Sequence, residues 1–338
     1  MPLATRHFAG QGGDELRRRY LIFLIPLLIG ATIYAILCRA PRRSSLPPSS
    51  PAPAATPAPK LPAVPTVAES IVRIDTARMR AHIEKLAGEI GVRHGGSRQE
   101  RAASEYVRQQ LLSYGYTVTK VPVELPDKKT SINILTELPG DTPRVLLVGA
   151  HIDSYGAAPG ANDNASGIAV MLEVARLLRD IKPNYTLIFA GFCAEEHLRR
   201  GDAYHHFGSR AMAKDTALLQ RLAGMVSLDM VGYGTVLRID NQGWASDRRR
   251  DEIGGIARAM GLPARVGRSK PQSDHEAFER RHISAAYLHW ERYPAYHTRA
   301  DVPARIQSER LRRTAELMIR FLRNARDDEP ERRRSAHP

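Results

Sequence analysis

One stretch constrains this chain more than any other: residues 145–167, which read VLLVGAHIDSYGAAPGANDNASG. A short, wholly apolar run ends in His151 and Asp153, a Gly/Pro/Ala loop leads to Asn162, Asp163 and Asn164, and an amphipathic segment follows. The order is strand, loop, helix start. In open α/β sheets the ligand crevice lies outside the carboxyl ends of the strands, so a His and two Asp where a strand stops point to a site. The pattern reads as one half of a two-metal centre.

Three further apolar runs end in the same kind of residue. Residues 186–193 lead to Ala194, Glu195 and Glu196, residues 225–228 to Asp229, and residues 283–289 through a short loop to Tyr296 and His297. Each piece alone has an ordinary reading. Asp163 can cap the following helix, a Glu pair at a strand end is commonly solvated, Asp229 can sit in a turn, and His297 can be a surface or satisfied core histidine. Four independent strands ending this way is what composition does not explain.

The remaining elements follow from local signals. Asp75 is placed to cap a helix running to residue 86, and Ser97 with Glu100 forms a capping box for another through residue 114, stopped by Gly115. Residues 116–124 and 132–138 alternate or carry β-branched side chains, as strands do. Residues 165–180 place Ile168, Met171, Leu172, Ala175 and Leu178 on one helical stripe. Ser273 and Glu276 form a second capping box, which accounts for a helix over 274–281.

Taken together, the donors meet what a pair of zinc ions requires, since zinc accepts imidazole nitrogen and carboxylate oxygen and a catalytic ion keeps a position open for water. Assigning His151 and Asp229 to one metal, Glu196 and His297 to the other, and Asp163 as a bridge gives each ion three protein ligands. Three carboxylates against two dications leave one positive charge, which a bridging hydroxide brings near neutral. Asp153 is then expected to accept the second imidazole N–H of His151 and fix its ring. Glu195, beside ligand Glu196, is the candidate general base. Tyr296 can donate a hydrogen bond to a developing oxyanion, with a packing aromatic as the alternative.

The N-terminal part has a different character. Residues 20–38 form a 19-residue stretch without a charge, of which eleven are Leu, Ile or Phe. As a helix it would span roughly 28 Å, close to the hydrocarbon thickness of a bilayer. Its insertion is favoured by about 5 kcal/mol, more than Pro26, Gly30 and Thr32 offset. A cleavable signal peptide is the rival, but no small-x-small site stands out after it and Pro41 follows Cys38-Arg39-Ala40. Arginines flank both sides, so the charge asymmetry is silent on orientation. The segment 39–66 is a Pro/Ala-rich spacer, with nine prolines among residues 41–66, and such a spacer suits a domain held away from a membrane on the outer side.

The expected organisation is therefore a cytoplasmic segment 1–19, a transmembrane anchor 20–38, a linker 39–66, a catalytic domain 67–327 and a disordered tail 328–338. The catalytic domain would be periplasmic or otherwise extracytoplasmic. A net charge of +14 could signal nucleic acid. The positive residues are mostly Arg spread along the chain with no aromatic-interleaved basic motif, which argues against it. Cys38 and Cys193 are the two cysteines, one in the anchor and one in a strand, and are not expected to pair. No feature of the sequence sets the oligomeric state.

The motifs HID, GANDNASG, AEE, LDMVG, SDHEAF and YHTRAD, in that order, closely resemble the co-catalytic dizinc aminopeptidase family, whose wider membership includes glutamate carboxypeptidases and glutaminyl cyclases. The resemblance spans about residues 75–323. It implies a three-layer α/β/α sandwich around a mixed, mostly parallel twisted sheet, two Zn²⁺ per chain on the ligands assigned above, Glu195 as base, and a place near the cleft wall for the turn at 273–275, with His275 as a candidate substrate contact. Relatives commonly follow the Glu pair with Gly-Leu-x-Gly-Ser, whereas here residues 197–212 read HLRRGDAYHHFGSRAM. Gly208-Ser209 behind a seven-residue insertion is the preferred match, with Gly201-Asp202 as the alternative. No domain is inserted between the later motifs, which argues against lidded deacylases.

The implied activity is removal of N-terminal residues from peptides by a metal-bridging hydroxide, on a membrane-anchored enzyme. The alternatives are a glutaminyl cyclase, a carboxypeptidase of the same fold, or a metal-free binding ectodomain. Intact His151 and Asp229 count against the cyclase, and the complete ligand set counts against the ectodomain.

Overall fold

The computed structural model describes residues 73–126, 128–196, 204–270 and 272–327, with residues 68, 71 and 201. The anchor expected at 20–38, the linker at 39–66 and the tail at 328–338 lie outside the described residues. Among the described residues no helix is long and apolar enough to cross a membrane.

Eight strands make one sheet: β1 (Val118–Glu124), β2 (Thr130–Leu138), β3 (Thr142–His151), β4 (Tyr185–Phe192), β5 (Leu222–Leu228), β6 (Leu237–Asn241), β7 (Ala264–Arg268) and β8 (Ala285–Trp290). Their order across the sheet is β1-β2-β4-β3-β5-β8-β6-β7. The central four, β4-β3-β5-β8, are parallel to one another. The β1/β2, β2/β4 and β6/β8 pairs are antiparallel, and β6/β7 is parallel. The sheet is thus mixed with a parallel centre.

The apolar run in β3 is buried because the sheet is covered on both faces, the setting in which strands lose the in/out alternation. Leu146, Val148 and Ala150 face one core together with Val226, Leu228, Ala286 and Leu288. Val145 and Leu147 face the other with Met225, Phe192 and Ala285. The first core is closed by α1 (Thr76–Ile83), α2 (Arg98–Ser113), α3 (Ser166–Leu178), α6 (Arg248–Ala259) and α8 (Ser308–Asn324). The second is closed by α4 (Phe207–Met212), α5 (Thr216–Arg221) and α7 (His275–Glu279). Helices on both faces of one sheet are the three layers that the sequence led us to expect.

The local signals meet mixed outcomes. Asp75 caps α1 by accepting from the Arg78 amide at 2.9 Å, but the helix runs past residue 86 as a π-helical turn, Glu84–Ile90, and ends at Gly91 with φ +77°. Ser97 caps α2 by accepting from the Glu100 amide at 3.0 Å. Glu100 itself reaches back to the Gly96 amide at 2.6 Å rather than to that of Ser97. The second capping box does not form: Ser273 Oγ pairs with Ser227 Oγ at 2.9 Å, and no side chain caps α7. Strands β6 and β7 carry no apolar run, because they are short and near the edge and their charged residues alternate with the few that pack inward.

Candidate metal centre

The parallel centre of the sheet brings its carboxyl ends side by side, and the expected site residues leave from them. His151 is the last residue of β3, Glu195 and Glu196 follow β4, Asp229 follows β5, and His297 follows β8. Asp163 comes from the loop between β3 and α3 and sits among them. Its Oδ1 is 3.2 Å from His151 Nε2 and its Oδ2 is 3.2 Å from His297 Nε2. On the outer sides, Asp229 Oδ1 lies 3.5 Å from His151 Nε2 and Glu196 Oε1 lies 3.3 Å from His297 Nε2. One carboxylate therefore faces two imidazoles, each with a further carboxylate beside it.

These separations fit a cation. Two donors bound to zinc at about 2.0–2.1 Å in a tetrahedral site lie about 3.3 Å apart, and the four contacts span 3.2 to 3.5 Å. Donor atoms of His151, Asp163 and Glu196, and of His151, Glu195 and Asp229, lie within 4.8 Å of one another. Glu196 Oε1 and Asp229 Oδ1 are buried without a hydrogen-bond donor. A buried carboxylate oxygen left unpaired is costly, and a divalent cation is what would satisfy several at once.

The electrostatics agree. Burial, followed by the charge of Asp163, drives the Glu196 carboxyl well above the usual carboxylate range. Glu195 is driven up mainly by burial, with Asp274 and Asp229 adding to it against the opposing pull of His151. Burial acts against protonation of His297, but the adjacent carboxylates of Asp163 and Glu196 raise it to about 9. The pocket is short of positive charge.

Asparagines on either side of Asp163 free it to face the site. Asn162 Oδ1 accepts from the Gly232 amide at 2.8 Å, and Asn164 donates to Leu228 O at 2.8 Å while accepting from the Gly167 amide at 2.9 Å. Both stitch the loop to the end of β5. Asp163 makes no helix cap, since α3 starts without a side-chain cap. The turn at Gly160, with φ +69°, leaves no room for a side chain: a Cβ there would fall 2.4 Å from Asp163 O and 2.5 Å from Ser154 Cβ.

Asp153 lies 3.4 Å from His151 Nδ1, which has no hydrogen-bond partner of proper geometry. Its stronger contacts are with the glutamates, because its two oxygens accept from the Glu195 and Glu196 amides at 3.0 Å each. His297 is stacked between Tyr155 and Tyr296, with ring centroids 3.8 and 3.7 Å away. Tyr296 is about half exposed and lines the cavity above the cluster. Desolvation and then the carboxylates of Asp163 and Glu196 push its hydroxyl above the ordinary tyrosine range. His275, by contrast, is fully buried, accepts from the Gln242 side-chain amide at 2.8 Å and stacks on Tyr287, so it does not face the cavity.

Four buried groups that sequence reasoning missed hold this arrangement. The Asp301 carboxylate accepts from the Asn162 and Asp163 amides at 2.7 and 3.1 Å and from the Tyr293 hydroxyl. Glu100 accepts from the Ala194 amide at 2.8 Å and from the Ser131 hydroxyl; burial and the nearby Asp153 raise it to about 7. Arg93, fully buried, donates to the carbonyls of Leu86, Gly91, Ile152, Pro159 and Gly160. His206 pairs with Glu195. Asp301 could have been suspected from the YHTRAD motif; Glu100 was read only as a capping-box residue, and Arg93 and His206 carry no local signal. Ala194, His206, Met230 and His297 all have φ between +46° and +58°, a region that costs non-glycine residues about 1–2 kcal/mol and is often retained at functional sites.

The cavity beside the cluster has a volume of about 170 Å³, with His205, His206, Met230 and Gln272 completing its walls. Its lining combines carboxylates, imidazoles and a tyrosine, a donor set that can hold a metal and support water attack on a carbonyl.

Comparison with known proteins places this site in context. The family model described as Peptidase family M28 matches residues 133–322. The chain is 32% identical over 192 residues to aminopeptidase YwaD of Bacillus subtilis, covering 52% of this chain and 40% of that protein. It is 31% identical over 167 residues to leupeptin-inactivating enzyme 1 of Streptomyces exfoliatus, covering 47% of this chain and 36% of that protein. The chain spans about two fifths of the length of these curated relatives. In fold it is similar to an aminopeptidase from Aneurinibacillus sp. strain AM-1, with TM-score 0.66 and 21% identity over 76% of this chain and 96% of that one. It is also similar to a glutaminyl cyclase from Bacteroides thetaiotaomicron, with TM-score 0.67 and 18% identity over 78% of this chain and 100% of that one.

Proposed function

Since the chain belongs to Peptidase family M28, we propose that it is a zinc-dependent aminopeptidase that hydrolyses N-terminal residues from peptides, with residues 67–327 as its catalytic domain. The observation that carries the reading is Asp163, whose two carboxylate oxygens each stand 3.2 Å from one of two imidazoles. In this reading His151 and Asp229 would hold one Zn²⁺, Glu196 and His297 would hold a second, and Asp163 would serve both. When bound, zinc supplies Lewis acidity that polarises an amide carbonyl and lowers the pKa of water.

The chain's own residues supply the rest. Glu195 takes a proton from the attacking water on its carboxylate and returns it to the leaving amine, a role that typically contributes 10²–10⁴-fold. Asp153 holds the amides of Glu195 and Glu196 and so keeps base and ligand in register. The Tyr296 hydroxyl donates to the carbonyl oxygen as negative charge develops there. A free substrate amine would be read by the metal cluster together with the carboxylates that line the cavity, and that requirement separates an aminopeptidase from a carboxypeptidase.

The test is metal content of the purified full-length chain together with hydrolysis of a panel of aminoacyl nitroanilides before and after chelation. Two zinc ions per chain and activity lost on chelation and restored by zinc are expected. Glu195→Gln should keep both ions and lose at least about 10²-fold in kcat; a fully active variant refutes the base assignment.

We further propose that residues 20–38 anchor the enzyme and that the spacer at 39–66 holds the catalytic domain on the extracytoplasmic side. The support is the uncharged apolar run and the proline content. Resistance to alkaline extraction and digestion of the domain by protease added to spheroplasts are the expected results. Release into the soluble fraction would remove the anchor.

A further inference from the structure

We infer that His206 is a positioning residue for the general base: its imidazole, wedged between Glu195 and Glu276, fixes the Glu195 carboxylate in the orientation that proton transfer requires. The inference rests on the reading of Glu195 as base and adds a residue from the segment in which this chain departs from the family pattern. His206 is 1% exposed. Its Nε2 lies 2.9 Å from Glu195 Oε1, and its Nδ1 faces Glu276 Oε2 at 3.1 Å, close enough for an ion pair though outside the angle of a directed hydrogen bond.

The backbone makes this placement rigid. The His206 amide donates to Glu195 O at 2.7 Å, Phe207 to Ala194 O at 3.0 Å and Gly208 to Cys193 O at 3.0 Å, so residues 206–208 are tied to the turn that carries the base. Glu276 is anchored in turn by Arg280 Nε at 2.7 Å, with Arg210 Nη2 at 3.6 Å. The carboxylate that the sequence assigned to a capping box is instead the backstop of the ring. His206 also adopts φ +56°, a conformation glycine would take without strain, so the imidazole is kept at a position where the backbone alone favours its loss.

A glutamate side chain has three rotatable bonds, and a base misplaced by about 1 Å can lose roughly 10²-fold. An imidazole N–H held against one oxygen fixes the carboxylate beside the cavity, which His206 and Glu195 both line.

The test uses the zinc-loaded full-length enzyme and the aminoacyl nitroanilide it turns over fastest. His206→Gly, which suits the backbone conformation, should lower kcat about 10- to 100-fold with KM within about threefold, both zinc ions retained, and partial recovery on adding imidazole. In the Glu195→Gln background the same change should cost nothing further, because there is no base left to position. Should His206→Gly fold poorly, Glu276→Gln provides the second measurement, with a smaller fall in kcat at unchanged KM expected. An unchanged kcat, a loss that imidazole does not restore in a normally folded variant, or an equal loss in the Glu195→Gln background overturns the proposal. The underlying reading fails separately, through a fully active Glu195→Gln.

Discussion

Asp301→Ala is the perturbation with the most to say about how the site is held. Asp301 is fully buried, and its carboxylate is the acceptor for the Asn162 and Asp163 amides as well as the Tyr293 hydroxyl. Truncation leaves two buried amides without an acceptor, and each such orphan costs about 1–3 kcal/mol. The tyrosine hydroxyl sits on a half-buried residue and can be rehydrated, so the expected loss is about 4 kcal/mol. Against a typical total of roughly 5–15 kcal/mol this leaves a folded but weakened protein. The same loop aims the Asp163 carboxylate between the two histidines, and loss of such outer supports typically weakens metal binding about 10- to 100-fold. Urea unfolding of the metal-free protein gives the first quantity, and zinc competition against a chromogenic chelator gives the second. A variant within about 1 kcal/mol of the parent that holds zinc equally well would show that Asp301 does not support the loop.

Two other outcomes follow from the same kind of reasoning. His82 is buried between the Tyr106 and Tyr114 hydroxyls at 2.6 and 3.2 Å, and desolvation lowers it from 6.5 to about 4. The folded state thus prefers the neutral ring. Its contribution is complete above the unfolded value and is lost as pH falls from 6.5 toward 4, about 2 kcal/mol between pH 7 and 5; urea midpoints measured across that window should fall in the parent and less in His82→Gln. Gly208→Ala would put a Cβ 2.4 Å from Asn133 Oδ1 and 2.5 Å from Cys193 O. Overpacking there should destabilise by about 1–3 kcal/mol and lower kcat by displacing the turn that carries Glu195, as a melting curve and a rate measurement would register. Wild-type values in both would remove the close-contact argument.

Much of the fold was legible because its central strands are apolar on both faces and stop at donors. The runs at 145–150, 186–193, 225–228 and 283–289 each became a strand of the parallel centre within a few residues. The strands β6 and β7 escaped notice because five-residue segments carrying charges leave too little pattern. Glu276 was misread for a related reason. A Ser three residues before a Glu satisfies the rule for a helix cap, but the pull of a buried imidazole and two guanidinium groups outweighs one local hydrogen bond.

The candidate ligands His151, Asp163, Glu196, Asp229 and His297 could be named from the chain alone because a metal centre admits few donor types and an open sheet admits few places for them. What tertiary structure alone decided is which charged residues are inside. Asp301 meets the Asp163 amide across 138 residues of chain, Glu100 meets Ala194 across 94, and Arg93 reaches carbonyls from three separate segments. A buried charge and a solvated one are the same letter in a sequence. Only the folded surroundings, by supplying or withholding partners in a low-dielectric interior, settle whether it costs stability or organises a site.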